Sequence, residues 1–457
     1  MFEGLKIEGE IHSDIASKIL YATDASAYKE MPLGVVFPKN ESDVQRILIW
    51  ANKHQAELIP RAAGTSLAGQ VVGKGLVIDI SRTFRNIIKI EPDKNSVTVQ
   101  PGVIRDELNY ELKKQGLFFG PETSTSNRCM IGGMLGNNSC GSRSLIYGSV
   151  RDHIVSINGF FPNGEMAHIK ALSKNEFLER IANPKASKYN EVLYSIHQIL
   201  SPDNNRQHIK DTFPKENIPR RNTGYALDIL AKSNVYTENG PDFNLCHLLA
   251  GSEGTLFFST EIELHCNPLP PKHVALVCVH SDSIRKSLEA NIEALKFSPT
   301  ACELMDYRIL DCTKNHPTYS QYRFFVEGDP KAILVVELAE HDEAVLNQKV
   351  EDLKQHLIQG NWSYHCSVVR GENINKVWNL RKAGLGLLSN IPGDAKPAPV
   401  IEDTAVDVND LPDFIDDFTA TLQQHGLSCV YYAHAATGEL HLRPIINLKT
   451  EAGKIQF

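Results

Sequence analysis

His434 and His441 stand seven positions apart on either side of Gly438, after the strand-like run Cys429–Ala433. Neutral imidazoles bind Zn²⁺ or a similar divalent ion, which polarises an oxygen bound to it and eases loss of a proton. By spacing alone, two histidines seven apart are more often unrelated. A second pair precedes them: Arg381, in the helical pattern Trp378-Asn379-Leu380-Arg381-Lys382, and Lys396, fifteen positions on in a Pro-rich segment. A planar guanidinium holds a carboxylate through two parallel hydrogen bonds, and an ammonium adds a point charge. By composition alone each reads more readily as a solvated surface charge.

Three stretches of small residues lie upstream. Arg61-Ala62-Ala63-Gly64-Thr65-Ser66 continues through Gly69 and Gln70 directly after a strand pattern. Its glycines let backbone amides approach an anion and its hydroxyls add donors, as in a loop that cradles phosphate oxygens. Gln70 and Val71 occupy the places where a nucleotide triphosphatase loop needs Lys and Ser or Thr, which excludes that chemistry. The second stretch runs Pro121-Glu122-Thr123-Ser124-Thr125 and then through Ile131, Gly132, Gly133, Gly136, Asn137, Asn138 and Ser139. Such sequence makes poor core and poor helix but suits a backbone lying against a flat ligand. The third, Gly251-Ser252-Glu253-Gly254-Thr255, enters a strand-like run that contains Ile262. No Gly-x-Gly-x-x-Gly fingerprint is present, which weakens a nicotinamide-binding reading.

The elements that must position these residues are of mixed type. Ser42 and Gln45 read as a capping box opening a helix over about 42–54, with Val44, Ile47, Leu48 and Ala51 at helical spacing. Strands are expected at 56–60, 76–81, 87–90 and 97–100, a helix over 104–115 ending at Gly116, and a hairpin turn at Asn163-Gly164. The polar sequence over about 170–245 reads as an insertion with some helix. Closely spaced prolines at 268, 270 and 271 mark a domain boundary. Beyond it, strands at 273–280, 332–339 and 364–369 alternate with helices at 283–295 and 343–358, an α+β layer. The expected division is 1–269, a cap at 270–430, and a short segment at 431–457.

Composition bounds the function. With 457 residues, 42% hydrophobic and 22% charged, the chain reads as two or three globular domains. A formal charge of −8 disfavours nucleic acid as a partner. The nine cysteines are scattered with no Cys-x-x-Cys pair, which suits free thiols in a reducing compartment and disfavours an iron–sulfur cluster within the chain. The first twenty residues lack the basic-then-apolar order of an export signal, and no apolar run approaches the roughly 20 residues of a membrane span. A cytoplasmic location is expected.

Taken in order, these segments resemble the FAD-linked oxidoreductases of the vanillyl-alcohol-oxidase (PCMH-type FAD-binding) superfamily. The resemblance is specifically to the D-lactate, glycolate and D-2-hydroxyglutarate dehydrogenase group, including the flavin subunit of glycolate oxidase. It extends from Tyr21-Ala22-Thr23-Asp24-Ala25-Ser26 to His434-Ala435-Ala436-Thr437-Gly438-Glu439-Leu440-His441. It implies a PCMH-type FAD-binding domain followed by an α+β substrate cap. Arg61 to Gln70 would bind the FAD diphosphate, Pro121 to Thr125 and Ile131 to Ser139 would line isoalloxazine and ribityl, and Gly251 to Thr255 with Ile262 would complete the site. The family usually has glycines where Ala62 and Ala63 stand, so these turns must have conformations that a β-carbon tolerates. The loop lacks the histidine that some relatives link to flavin, so noncovalent FAD is expected.

The resemblance also implies that Arg381 and Lys396 bind the substrate carboxylate and that His434 and His441 ligate Zn²⁺ or another divalent metal. The family's third metal ligand is a glutamate in a Gly-Glu-His-Gly motif, which is expected beyond Phe457; the chain therefore reads as truncated. Arg443 stands where many close relatives have asparagine, and relatives with a His-x-Arg-Pro ending often carry a fused iron–sulfur module. The implied reaction is oxidation of a small D-2-hydroxy acid to the 2-oxo acid by hydride transfer to flavin, with electrons passed to an iron–sulfur domain or partner. The alternatives are an oxygen-using oxidase of alcohols or aldonolactones and a noncatalytic FAD-binding subunit of a glycolate oxidase complex.

Overall fold

The computed structural model describes residues 2–221 and 224–457; Met1, Asn222 and Thr223 lie outside the described residues. The chain forms two compact units. The first comprises Met1–Cys140, Gly148–Lys215 and Asn222–Leu269, and the second Gly141–Tyr147, Glu216–Arg221 and Pro270–Phe457.

The first unit opens with strands β1 (Glu10–His12), β2 (Gly34–Phe37), β3 (Leu58–Arg61) and β4 (Leu76–Asp79), in the order β1-β2-β4-β3 with the last three parallel. Parallel neighbours need a crossover, supplied between β2 and β3 by the helix Glu41–His54, whose Val44, Ile47, Leu48 and Ala51 are buried. Its cap is not the Ser42–Gln45 box expected from sequence. Asn40 caps instead, accepting from the Asp43 N–H at 3.0 Å, while the Asp43 carboxylate accepts the N–H groups of Glu8, Gly9 and Lys39. A side chain one residue before the first helical turn reaches those N–H groups, whereas Ser42 already lies inside it.

A six-stranded antiparallel sheet follows, built from β5 (Ile87–Glu91), β6 (Ser96–Val99), β8 (Ile154–Phe160), β9 (Met166–Leu172), β10 (Phe243–Asn244) and β11 (Phe258–His265), in the order β10-β9-β8-β11-β6-β5. The short strands β7 (Leu117–Phe118) and β12 (Asn267–Pro268) pair separately. Gly164, at φ 83°, turns the β8–β9 hairpin. The weakly patterned stretch after β9 is helical: Lys174–Ala182, Lys188–Leu200 and Asp203–Thr212 set Phe177, Leu193, Leu200 and Ile209 into the core with Ile169 and Leu172. One expectation reverses. Ile131–Asn137, read as poor helix, is helical, because Ile131, Met134 and Leu135 form a buried stripe at i, i+3 and i+4.

The second unit is built on an antiparallel sheet of β13 (His273–Ser281), β14 (Ala301–Asp306), β15 (Ala332–Glu340), β16 (His365–Arg370), β17 (Lys396–Pro397), β18 (Ile401–Ala405), β19 (Cys429–His434) and β20 (Glu439–Ile446). Its order is β16-β13-β15-β14-β19-β20-β17, with β18 also paired to β20. The residues alternate between two buried faces. Val277, Leu304, Leu334 and Leu440 pack beneath the helices Ile284–Leu295, Glu343–Gln359 and Leu411–Gln424. Leu276, Met305, Val335 and Val430 pack beneath Tyr307–Thr313 and Asn373–Leu388. The expected cut at 430/431 falls inside β19, whose ladder to β14 and β20 makes one sheet of the whole unit. Among the described residues no helix is long and apolar enough to cross a membrane.

Candidate functional site

The three small-residue stretches meet in the first unit. A β-carbon placed on Gly133 would stand 3.4 Å from that of Ala62, and one on Gly254 would stand 3.1 Å from Pro60 Cγ. The Glu253 N–H donates to the Gly136 carbonyl at 2.8 Å, the Gly251 N–H to that of Leu135 at 3.1 Å, and Asn137 Nδ2 to Glu253 Oε1 at 3.1 Å. The Pro121–Thr125 stretch is held by Arg105, which donates to the Phe119 and Pro121 carbonyls, and by the Thr123 hydroxyl on Cys129 Sγ. Ala62 and Ala63 are not among the residues with positive φ, so their backbone tolerates a β-carbon; Gly64 and Gly69 take the left-handed turns at 64° and 78°.

Arg61 anchors the first loop by donating to the Thr23 carbonyl at 3.0 Å, with its guanidinium 5.0 Å from the Tyr21 ring centre; the Tyr21 hydroxyl in turn donates to Asp79. From Ala63 to Leu67 the backbone N–H groups have no partner among the described residues. A run of unclaimed, half-buried N–H groups fits an anion such as a diphosphate. Beside it, Pro60, Gly254, Thr255, Leu48, Ala51 and Phe160 line part of a cavity of about 240 Å³. That is below the ~300–1,000 Å³ of a whole small-molecule pocket, so it fits one end of a dinucleotide.

Arg151, which carried no sequence signal, ties two of these stretches together. It is buried; its Nε donates to the His247 carbonyl at 2.9 Å, its Nη2 to that of Ala250 at 2.7 Å, and its own N–H to Asn138 Oδ1 at 2.9 Å. Ile262 is fully buried in β11 between β6 and β8, where its side chain belongs to the core.

In the second unit the histidines are part of a polar strip on a sheet face. Glu303, His434 and Glu439 are direct cross-strand partners on β14, β19 and β20, so their side chains share one face; Tyr432 and His441 form the next such pair two residues along. His434 Nδ1 lies 2.9 Å from both oxygens of Glu303. Arg381, on the covering helix, ion-pairs with Glu303, donates to the Tyr432 hydroxyl and to the Ala433 carbonyl at 3.3 Å, and lies over the Tyr432 ring. His441 Nδ1 is 2.6 Å from Glu402, which sits in a bulge of β18 and accepts from Arg443 Nε at 2.8 Å. Glu439 ion-pairs with Arg220.

Burial, reinforced by Arg381 and Arg220, pushes the His434 pKa well down, so this imidazole is neutral. Burial drives Glu439 well up, against the pull of Arg220. At Glu402 burial works upward too, yet His441 and Arg443 together hold the carboxyl below its usual range. Ligand atoms of His434, Glu439 and His441 all lie within 4.8 Å of one another, as do those of Glu402, Asp403 and His441. Imidazole nitrogen with carboxylate oxygen is a donor set that fits Zn²⁺ or a similar divalent ion. The carboxylates are supplied within the described residues, by positions the sequence reading passed over; Glu439-x-His441-x-Arg443, charged at alternate positions of a strand, was the available signal.

Arg381 and Lys396, the expected carboxylate clamp, have separate partners. Lys396 pairs with Ile446, five residues along β20 from His441 or ~17 Å at a strand's rise, and its ammonium donates to the Ile391 carbonyl. Arg381 instead belongs to the Glu303–His434 cluster. Fifteen residues of sequence separation carry no information on direction once the chain leaves the helix and enters an edge strand.

Residues 32–170 match the FAD-binding domain model, and residues 270–456 match the C-terminal domain model of FAD-linked oxidases. The chain is 34% identical over 452 residues to a D-2-hydroxyglutarate dehydrogenase of Pseudomonas putida, covering 96% of this chain and 44% of that protein. It is 33% identical to one of Escherichia coli, covering 96% and 43%. It therefore spans less than half the length of these relatives. A glycolate oxidase subunit GlcD of Bacillus subtilis is 22% identical, covering 93% of this chain and 76% of that one. Among solved structures, p-cresol methylhydroxylase with substrate bound shares the fold, with a TM-score of 0.64 at 12% identity over 98% of this chain and 82% of that chain. With an FAD-binding domain of PCMH-type fold in its first half and an oxidase C-terminal domain in its second, the chain belongs to the FAD-linked oxidases.

Proposed function

We propose that this chain is the flavin-reducing part of a dehydrogenase that oxidises a D-2-hydroxy acid to the 2-oxo acid. The observation that carries this reading is the polar strip itself: Glu303 and Glu439 are buried and His434 nearly so on one sheet face, and the buried Arg381 and Arg220 reach them from a helix and a loop. Burying so many ionisable groups is costly even when they are paired, and such clusters gather at functional sites. The names of the Pseudomonas and Escherichia relatives point to D-2-hydroxyglutarate as the first acid to test.

Noncovalent FAD, when bound, takes the hydride from the substrate carbon. The chain's own residues do the rest. His434 and His441 serve as ligands to a divalent ion or as acceptors for the hydroxyl proton, with Glu439 and Glu402 beside them. Arg381 supplies positive charge for the substrate carboxylate, its plane fixed by Glu303 and Tyr432; Lys396, set apart by its register, has no part in the clamp. Electrons then pass to an iron–sulfur acceptor outside these residues. Nine free cysteines, most of them buried, support a cytoplasmic setting.

Anaerobic addition of D-2-hydroxyglutarate, D-lactate and glycolate to the FAD-loaded full-length protein tests the reading: one of the three is expected to bleach the flavin's visible absorbance within seconds, at a rate of ~1–10³ s⁻¹. If all three leave the flavin oxidised, the dehydrogenase reading fails. The cofactor cradle is tested separately. Gly254→Ala is expected to weaken FAD binding about tenfold in a fluorescence titration, because φ of 72° costs an alanine ~1–2 kcal/mol and its methyl would press on Pro60. Unchanged affinity would remove Gly254 from the site.

A further inference from the structure

We propose that Glu303 is a positioning residue that locks His434 in the tautomer carrying its proton on Nδ1, which presents the Nε2 lone pair to the group formed with Glu439 and His441. The inference deepens the functional reading above and rests on it for the use made of Nε2. It does not rest on it for the tautomer.

Three observations carry it. Glu303 is fully buried in the middle of β14, where its strand neighbours Cys302 and Leu304 are apolar core, so its place is not explained by solvation. It is the direct cross-strand partner of His434, which brings both carboxylate oxygens to 2.9 Å from Nδ1. The Arg381 guanidinium ion-pairs with the same carboxylate. With the guanidinium donating to it on one side, the Glu303 carboxylate is placed as an acceptor toward Nδ1 on the other, so the imidazole nitrogen is the donor. Arg381 Nη2 also lies 3.4 Å from Nδ1, but it is farther away than either Glu303 oxygen and is already paired with that carboxylate. With Nδ1–H spent on Glu303, Nε2 is the one nitrogen of His434 left to act on a metal ion or a substrate proton. A carboxylate behind an imidazole sets ring orientation and raises the basicity of the far nitrogen, and its loss typically costs 10–100-fold in metal affinity or activity.

The same carboxylate also fixes Arg381. Glu303→Gln is therefore expected to disturb two neighbours at once, whereas Glu303→Asp keeps the charge and partly restores both. The experiment uses FAD-loaded protein labelled with ¹⁵N-histidine, the His434 signal being assigned by its disappearance in His434→Asn. In the parent protein the proton is expected on Nδ1; in Glu303→Gln the signal is expected to shift toward a mixture of tautomers. Titration with Co²⁺ alone, followed by its visible absorption, is expected to show about 10–100-fold weaker binding in Glu303→Gln and a smaller loss in Glu303→Asp. A parent His434 protonated on Nε2, or Co²⁺ binding and tautomer both unchanged in Glu303→Gln, would overturn the proposal. The tautomer measurement needs neither substrate nor metal. Its result stands even when no hydroxy acid bleaches the flavin, so failure of the positioning role and failure of the dehydrogenase reading are told apart.

Discussion

A His434→Ala variant is expected to purify with its flavin and to reduce it about a thousandfold more slowly in the presence of a D-2-hydroxy acid. The flavin is retained because the stretches at 61–70, 131–139 and 251–255 that make the proposed cradle do not include His434. The loss is large because this imidazole is the centre of the strip. It stands between Glu303 on one strand and Glu439 on the other, packs edge to face against His441, and is held neutral by burial. Proton transfer by a positioned side chain contributes ~10²–10⁴ in rate, and loss of a ligand to an ion that polarises the hydroxyl falls in a similar range. Stopped-flow bleaching under nitrogen reads the rate, and the melting temperature checks that the sheet has survived. A variant that melts as the parent does and bleaches within tenfold of it would remove His434 from the reaction.

What could be read from sequence follows from how local each signal is. Val44, Ile47, Leu48 and Ala51 face one way at helical spacing, and the helix Glu41–His54 is where they place it. The loops after β3 and before β11 were visible because small residues in a row have few other uses. The pairing partners were not visible. Glu303 reaches His434 across 131 residues, through a β14–β19 ladder that nothing in either strand announces. A lone carboxylate in Ala301-Cys302-Glu303-Leu304-Met305 could have been flagged as a charge at an inward position, but its partner could not. The helix Ile131–Asn137 was missed for a related reason. Intrinsic propensity counts its glycines against it, while the burial of Ile131, Met134 and Leu135 that stabilises it comes from outside the segment. Likewise, the fifteen residues from Arg381 to Lys396 suggested a shared task, which the edge-strand register of Lys396 opposite Ile446 does not support.

Arg151 is the residue whose loss should do most damage to the cofactor cradle, and it lies outside every small-residue motif. The residue is 5% exposed, and its guanidinium spans the carbonyls of His247 and Ala250, the latter immediately before the Gly251 turn. Its backbone N–H meanwhile occupies the side chain of Asn138, the left-handed residue that ends the Ile131–Asn137 helix. Arg151→Ala leaves two carbonyls without their donor at ~1–3 kcal/mol each, and it opens a void where the guanidinium stood. Alanine keeps the backbone N–H that serves Asn138, so the loss falls on the Gly251 turn, and FAD affinity is expected to drop on the order of 100-fold, ~2.7 kcal/mol. The variant should emerge from purification pale, with a low ratio of flavin to protein absorbance, and should recover colour only in excess FAD. Arg151→Lys keeps the charge, but an ammonium lacks the planar fork that serves two carbonyls at once, so its flavin content should fall between the two. An Arg151→Ala protein as yellow as the parent, with the same melting temperature, would show that the Gly251 turn holds its shape without this tie.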